Sequence, residues 1–260
     1  MDNPTVSLRR LANQVALVTL TRPEVRNVIN GDVARGLEQA IDETEADPDV
    51  WAVILTATGD GAFCAGADLK AVKEGRANEL YTERGGFAGF VHRARKKPWI
   101  AAVNAPAVAG GCEIVLACDL IVAAPQARFG LPEVKRGLVA AAGGLYRLAR
   151  LLPPAVAREL IVTGDSIDAE RAHALGMINA LAPDSASLLA TAEALATRIT
   201  ANAPIAVYES LAVAKQAFDL TEAELRAASE AGRARNMASE DYQEGPRAFI
   251  EKRAPVWKGR

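Results

Sequence analysis

Residues 99–124 read WIAAVNAPAVAGGCEIVLACDLIVAA, and the fold class follows from this stretch. Trp99 to Val103 is an uninterrupted apolar run, as expected of a strand covered on both faces. A turn of small residues follows, then a short helix from Gly110. Leu120-Ile121-Val122-Ala123 is a second strand-like run. Strands alternating with helices indicate an α/β protein.

The same grammar extends towards the N-terminus. Val6 to Leu8 and Val15 to Leu20 flank Asn13-Gln14 and read as a hairpin. Thr21-Arg22-Pro23-Glu24 breaks it. Gly31 to Asp42 carries Val33, Leu37, Ala40 and Ile41 at helical spacing. Trp51 to Leu55 is another buried strand, closed by Gly59-Asp60-Gly61. A polar stretch from Lys70 to Gly86 precedes a helical segment expected to run to about Lys96, before Pro98. Towards the C-terminus the pattern changes. From Ala186 onward helical stretches replace strands, so the chain divides into a core of residues 1–190 and a helical region of residues 191–260.

Half of the 260 residues are hydrophobic, enough for a sizeable core. A formal net charge of −2 leaves no global basic field for nucleic acid or an anionic membrane, and neither is expected as a partner. The cysteines are Cys64, Cys112 and Cys118, an odd and sparse set that argues against a disulfide framework. His92 and His173 lie far apart and no CxxC pair exists, so no metal site is expected. MDNPTVSLRR lacks the apolar run of a signal peptide, and no eighteen-residue apolar stretch occurs. A reduced, cytoplasmic setting is the expectation.

Three standard signatures fail: the dinucleotide-binding glycine pattern, the GxxxxGK phosphate loop and the GxSxG nucleophile elbow. Three other segments carry chemistry. Phe63 to Lys70 follows a strand and a glycine-rich turn, and its small residues allow close approach of a ligand to the backbone; Asp68 equally suits a helix cap. In the second segment, Glu113 stands within an apolar helix. An acid there is either salt-bridged to an arginine or buried with a raised pKa and functional. In the third, Glu133 follows Pro132 on a loop, where a solvated acid is the ordinary outcome. Two glutamates in such settings can divide acid and base roles if they share a pocket.

Six pieces in order resemble the crotonase (enoyl-CoA hydratase/isomerase) superfamily: FCAGADLK, AGGCEIVLACDLIVA, ARFGLPEVKRGL, AGGLYRLARLLP, IVTGDSIDAERAHALGMIN and EGPRAFIEKRAPVWKGR. The resemblance covers Val15 to Arg260. It implies a spiral of β-β-α units carrying an acyl-CoA site, with the C-terminal helices used in a trimer that often pairs into a hexamer. It also implies enoyl-CoA hydratase activity, a hydro-lyase step of fatty acid and lipid metabolism. The two backbone N–H groups that hold the thioester oxygen fall on Ala67 and Gly110, and the acid/base pair on Glu113 and Glu133. Glu113 would activate water for attack at Cβ and Glu133 would protonate Cα. Coenzyme A contacts fall on Val25, Arg26, Ala65, Asp68, Leu69, Lys70, Phe249 and Lys252, the last two across a subunit contact. Coenzyme A is part of the substrate, so no separate cofactor is expected.

The chain departs from the family pattern at Ala140-Ala141, where a Pro-Gly-Ala-Gly-Gly run is common, and at Ala105-Pro106, where Gly followed by an aromatic is frequent. Both are expected near the acyl region. The ending Pro255 to Arg260 is similar to that of the carnitinyl-CoA dehydratase branch. Isomerase, acyl-CoA hydrolase and non-catalytic acyl-CoA-binding readings compete with hydration. The retained glutamate pair favours hydration over mere binding, because buried carboxylates are costly. His92 is expected on an exposed helix end, and His173 as a structural residue.

Overall fold

The computed structural model describes residues 5–260; residues 1–4, the head of the 1–190 core, lie outside the described residues. The chain opens with β1 (Val6–Arg10) and β2 (Val15–Leu20), an antiparallel hairpin. Its turn places Asn13 and Gln14 at φ 57°, the paired left-handed conformation that matches strand twist. Next come α1 (Gly31–Ala46), β3 (Ala52–Ala57), α2 (Leu69–Lys73) and the small hairpin of β4 (Tyr81–Thr82) and β5 (Gly86–Phe87). Then follow β6 (Trp99–Val103), β7 (Ala107–Val108), α3 (Gly110–Leu116), β8 (Leu120–Ala123) and β9 (Arg128–Gly130). The remainder holds α4 (Gly144–Leu151), α5 (Pro154–Thr163), β10 (Ser166–Asp168), α6 (Ala169–Ala174), β11 (Ala180–Leu181), α7 (Leu188–Thr200), α8 (Pro204–Ala214), α9 (Glu222–Met237) and α10 (Glu240–Glu251).

A six-stranded sheet runs in the order β1-β2-β3-β6-β8-β11, parallel except for β1. Alternate residues explain its layering. Ala16, Val18, Val53, Leu55, Trp99, Ala101 and Ile121 face the main core, beside Phe63, Phe90 and Phe129. Val15, Leu17, Ile54, Ile100 and Val122 face the other side, under Leu188, Ala192 and Ala196 of α7. Those three recur every fourth residue, the spacing of one helical stripe. Both faces are therefore covered, as the apolar runs require.

The main core is wound as a spiral. Each turn lays one strand in the large sheet, crosses to a short extended segment, and then starts a helix. The short segments stack in parallel: Ile29 bridges Ala67, Cys64 bridges Ala107, and β7 pairs with β9. The helical starts after them are α1, α2, α3 and the 3-10 turn Pro132–Arg136. Side-chain amides tie neighbouring turns at one corner. Asn27 Nδ2 donates to the carbonyls of Thr58 (3.0 Å) and Ala62 (2.9 Å). Asn104 Nδ2 donates to Gly59 O, and Gln126 Nε2 to Asn104 O, each at 2.5 Å.

The helical segment expected up to Lys96 does not form. Ala88 and Gly89 take positive φ (59° and 64°), which stops a helix after β5. Arg95 turns inward, its guanidinium 4.1 Å above the Phe90 ring and donating to Phe90 O (2.7 Å) and Ala117 O (2.5 Å). The 190/191 division falls inside α7, whose buried face belongs to the sheet. The C-terminal helices α8, α9 and α10 stand off the sheet, and α9 packs against α8 and α10. Asp241 accepts from Lys258 N (2.7 Å) and Gly259 N (2.9 Å), folding the tail back onto α10. Among the described residues, no helix is long and apolar enough to cross a membrane.

Candidate active site

The spiral brings two corresponding points of successive turns together. Three residues beyond the Cys64–Ala107 bridge lie Ala67 on one segment and Gly110 on the next. The approach is close: a Cβ on Gly66 would sit 3.1 Å from Gly110 N and 3.0 Å from Ala109 Cβ. Gly66 has φ 94°, and Cys64 Sγ accepts its N–H at 3.4 Å. Ala109 is held at φ 52°, ψ −131°, a conformation uncommon for a non-glycine residue. Its N–H donates to Gly130 O (3.0 Å) and its carbonyl accepts from Glu113 N (3.1 Å), which fix it in place. Among the described residues, neither Ala67 N–H nor Gly110 N–H donates to another group of the chain. Both residues line one cavity of about 690 Å³. Two such amides can hold a single oxygen that gains negative charge.

Glu113 and Glu133 line the same cavity. Glu113 lies on α3, every residue of which is buried, and is only 4% exposed. Gly144 N donates to its Oε1 at 2.9 Å. A Cβ on Gly144 would lie 2.9 Å from Glu113 Cγ and 2.8 Å from Leu131 Cδ2, so glycine leaves room for the acid to reach the amide. Burial holds the Glu113 carboxyl above the usual carboxylate range, and the Glu133 charge adds to this; the N–H groups of Gly144 and Ala142 and the Arg147 charge oppose it. Among the described residues Glu113 forms no salt bridge to an arginine, and its carboxyl is buried with a raised pKa. Glu133 stands in the 3-10 turn Pro132–Arg136 and is partly buried rather than solvated. Burial raises its pKa too, opposed by its own backbone N–H and by Arg136, and its Oε2 is buried without a hydrogen-bond partner. A pair of carboxyls pushed towards neutrality can donate and accept a proton at one place.

Of the residues expected to contact coenzyme A, Arg26, Ala65 and Leu69 line this cavity, with Arg26 at its exposed rim. Val25 and Lys70 are exposed neighbours outside the lining. Asp68 caps α2 through Lys70 N (3.1 Å) and Ala71 N (3.4 Å) and pairs with Arg22 at 3.4 Å, so its carboxylate is engaged as a cap. Phe249 and Lys252 lie at the end of α10, Phe249 86% exposed, and neither lines the cavity within one chain. Ala141 of the departing run lines the cavity, whereas Ala105 and Pro106 do not.

Sequence reasoning missed Tyr81, Phe87, Leu138 and Val139, which form much of the apolar wall. Tyr81 and Phe87 pack edge to face at 5.5 Å. It also missed the Gly144 amide as the partner of Glu113; the adjacent Gly143-Gly144 pair before an amphipathic helix was the signal that pointed to it. Burial pushes the thiols of Cys64 and Cys118 up to about 12 and raises that of Cys112 as well, so none is a thiolate near neutral pH. His92 is exposed but off any helix, and His173 Nδ1 lies 2.9 Å from Ile178 O, a structural contact. Among the described residues, no three His, Cys, Asp or Glu side chains gather as a metal-holding group.

Comparison with known proteins gives a consistent answer. The family described as "Enoyl-CoA hydratase/isomerase" matches residues 10–260. A carnitinyl-CoA dehydratase of Salmonella typhi is 39% identical over 248 residues, covering 94% of each chain. An enoyl-CoA hydratase from Mycobacterium tuberculosis H37Rv superposes with a TM-score of 0.94 at 42% identity, over 99% of this chain and 100% of that one. A carnitinyl-CoA hydratase from Mycobacterium avium superposes with a TM-score of 0.77 at 45% identity, over 100% of both chains. These superpositions bear out the expected crotonase-like fold.

Proposed function

We propose that this chain, which belongs to the enoyl-CoA hydratase/isomerase family, adds water reversibly across the α,β double bond of a 2-enoyl-CoA thioester. One observation carries the reading: two carboxyls, one buried and one partly buried, and two unpaired backbone N–H groups line a single cavity. Ala67 N–H and Gly110 N–H hold the thioester oxygen and stabilise the charge it gains as the nucleophile adds. Glu113, supported by the Gly144 amide, takes a proton from water as the oxygen attacks Cβ. Glu133 gives its proton to Cα. Its unpartnered Oε2 disfavours the charged form, which suits it to carry that proton. The pair resets when one proton passes from Glu113 to Glu133 through solvent.

The coenzyme A moiety lies along Val25, Arg26, Ala65, Asp68, Leu69 and Lys70, with cationic side chains meeting its phosphates. Phe249 and Lys252, distant from the cavity in one chain, reach it from a neighbouring copy of the assembly. Coenzyme A arrives with the substrate, and the scheme uses no other cofactor. A panel of 2-enoyl-CoA esters tests the reading through loss of the conjugated double bond. Failure to hydrate any of them, with the protein folded, would refute it.

Dehydration of a carnitinyl-CoA ester is the second reading. It is supported by the curated relatives bearing that name and by the C-terminal Pro255 to Arg260. The same two carboxyls would run the step in reverse, so crotonobetainyl-CoA belongs in the panel as the discriminating member.

A further inference from the structure

Arg147 is a half-buried guanidinium on α4 whose hydrogen bonds go to carbonyls rather than to a carboxylate. One arm donates to Ala142 O at 3.2 Å and the other to Val91 O at 2.6 Å. These carbonyls belong to two strips of chain that border the cavity. Residues 142–144 end in the amide that meets Glu113, and residues 87–91 begin with Phe87 on the cavity wall. Gly143, within the first strip, has φ 106°, and a Cβ there would fall 2.2 Å from an Arg147 Nη. The guanidinium therefore fills the space against Gly143 and ties both strips to α4.

We infer that Arg147 is a positioning residue that holds the 142–144 strip so that the Gly144 amide stays on Glu113. This rests on the hydratase reading, in which Glu113 is the base. Arg26, Lys135 and Arg136 also line the cavity, Arg136 acting on Glu133, whereas the groups coupled to the Glu113 charge include Glu133, Tyr81, Cys112 and Arg147. Arg147 is the cation of that set. Its removal takes away both the clamp and a charge that favours the ionised base.

The test follows but-2-enoyl-CoA hydration across pH with Arg147→Met, Arg147→Gln and Arg147→Lys. Arg147→Met is expected to move the acidic limb of kcat to higher pH and lower kcat at neutral pH on the order of tenfold to a hundredfold, as misplacement of a catalytic group does. KM should hold, and activity should recover partly on the alkaline side. Arg147→Lys, which keeps the charge, should restore the limb better than its neutral counterparts. Arg147→Gln, which keeps donors without charge, serves if the methionine variant fails to fold; its limb should also move up. In a Glu113→Gln background, Arg147→Met should cost nothing further. An unmoved limb in both neutral variants, or an equal loss in the Glu113→Gln background, overturns the inference. If Glu113→Gln alone hydrates normally, the base assignment falls instead. The Arg147 claim then stands or falls on infrared titration of the Glu113 carboxyl in a Glu133→Gln background. A midpoint that rises on Arg147→Met supports the clamp, and an unchanged one refutes it.

Discussion

Glu113 and Glu133 are both raised in pKa, yet their surroundings differ: one accepts a backbone N–H, the other holds a buried oxygen with no partner. Changing either to Gln keeps the shape and removes proton transfer. Turnover of 2-enoyl-CoA should fall by about 10²–10⁴-fold for Glu113→Gln and for Glu133→Gln, with ester binding retained. The double variant should lose less than the product of the singles, because the two act as a unit on one water. Near-normal hydration by either single variant would place the reaction elsewhere. The same burial makes a stability prediction of definite sign. A carboxyl raised in the folded state contributes stability that is full below its unfolded pKa and lost as pH rises through the folded value. Thermal melts of both Gln variants should therefore exceed wild type at neutral pH, and the gap should close below about pH 4, the ordinary carboxylate range. A constant gap across pH would mean that packing, not charge, causes it. Arg26, Lys70 and Lys252 are exposed cations, each suited to a phosphate. Alanine at each should weaken coenzyme A ester binding by roughly 1–3 kcal/mol in calorimetry, less at high salt. Three unchanged affinities would remove them from the site. Glu113 was legible as a carboxylate set among apolar residues, whereas the Gly144 amide left only the indirect mark of the Gly143-Gly144 pair, because a backbone donor belongs to every residue type but proline.

Helix α3 shows how tightly an element can be committed. A Cβ on Gly111 would lie 2.1 Å from the Cys64 carbonyl oxygen, which is backbone of the neighbouring turn and has no rotamer by which to yield. Around Gly61, by contrast, a Cβ would meet nothing within 4 Å. Gly111→Ala should destabilise the protein by at least about 1–3 kcal/mol, the usual range for overpacking, while Gly61→Ala should leave the urea midpoint near wild type. Equal midpoints for the two would mean that the turns are more loosely stacked than described. Elements with a strong period were readable in advance: the β3, β6 and β8 runs, the β1–β2 hairpin and the stripe of α1. The expected helix up to Lys96 was not, because Ala88 and Gly89 take positive φ and Arg95 turns inward to the carbonyl of Ala117, a contact 22 residues along the chain that local spacing does not show. The one-residue bridges at Ile29–Ala67 and Cys64–Ala107 were equally hidden, since a single pairing has no period to detect.

At the scale of the whole molecule, α8, α9 and α10 stand off the sheet, and Phe218, Phe249, Ile250 and Val256 in this region are between 67% and 86% exposed. We propose that these side chains belong to an association face. Light scattering at working concentration should give a trimer or hexamer, and a fully active monomer would refute that assembly. The stacking of turns described above has a mechanical corollary. The two amides proposed to grip the thioester belong to neighbouring windings, so the gap between them is a thread pitch, set near the ~4.8 Å of adjacent strands. A screw keeps its pitch when its head is recut. Loops at the cavity rim can therefore lengthen, shorten or change character to admit another acyl group without retuning the grip, whereas a substitution that shifts one winding against the next would misalign it for every substrate at once.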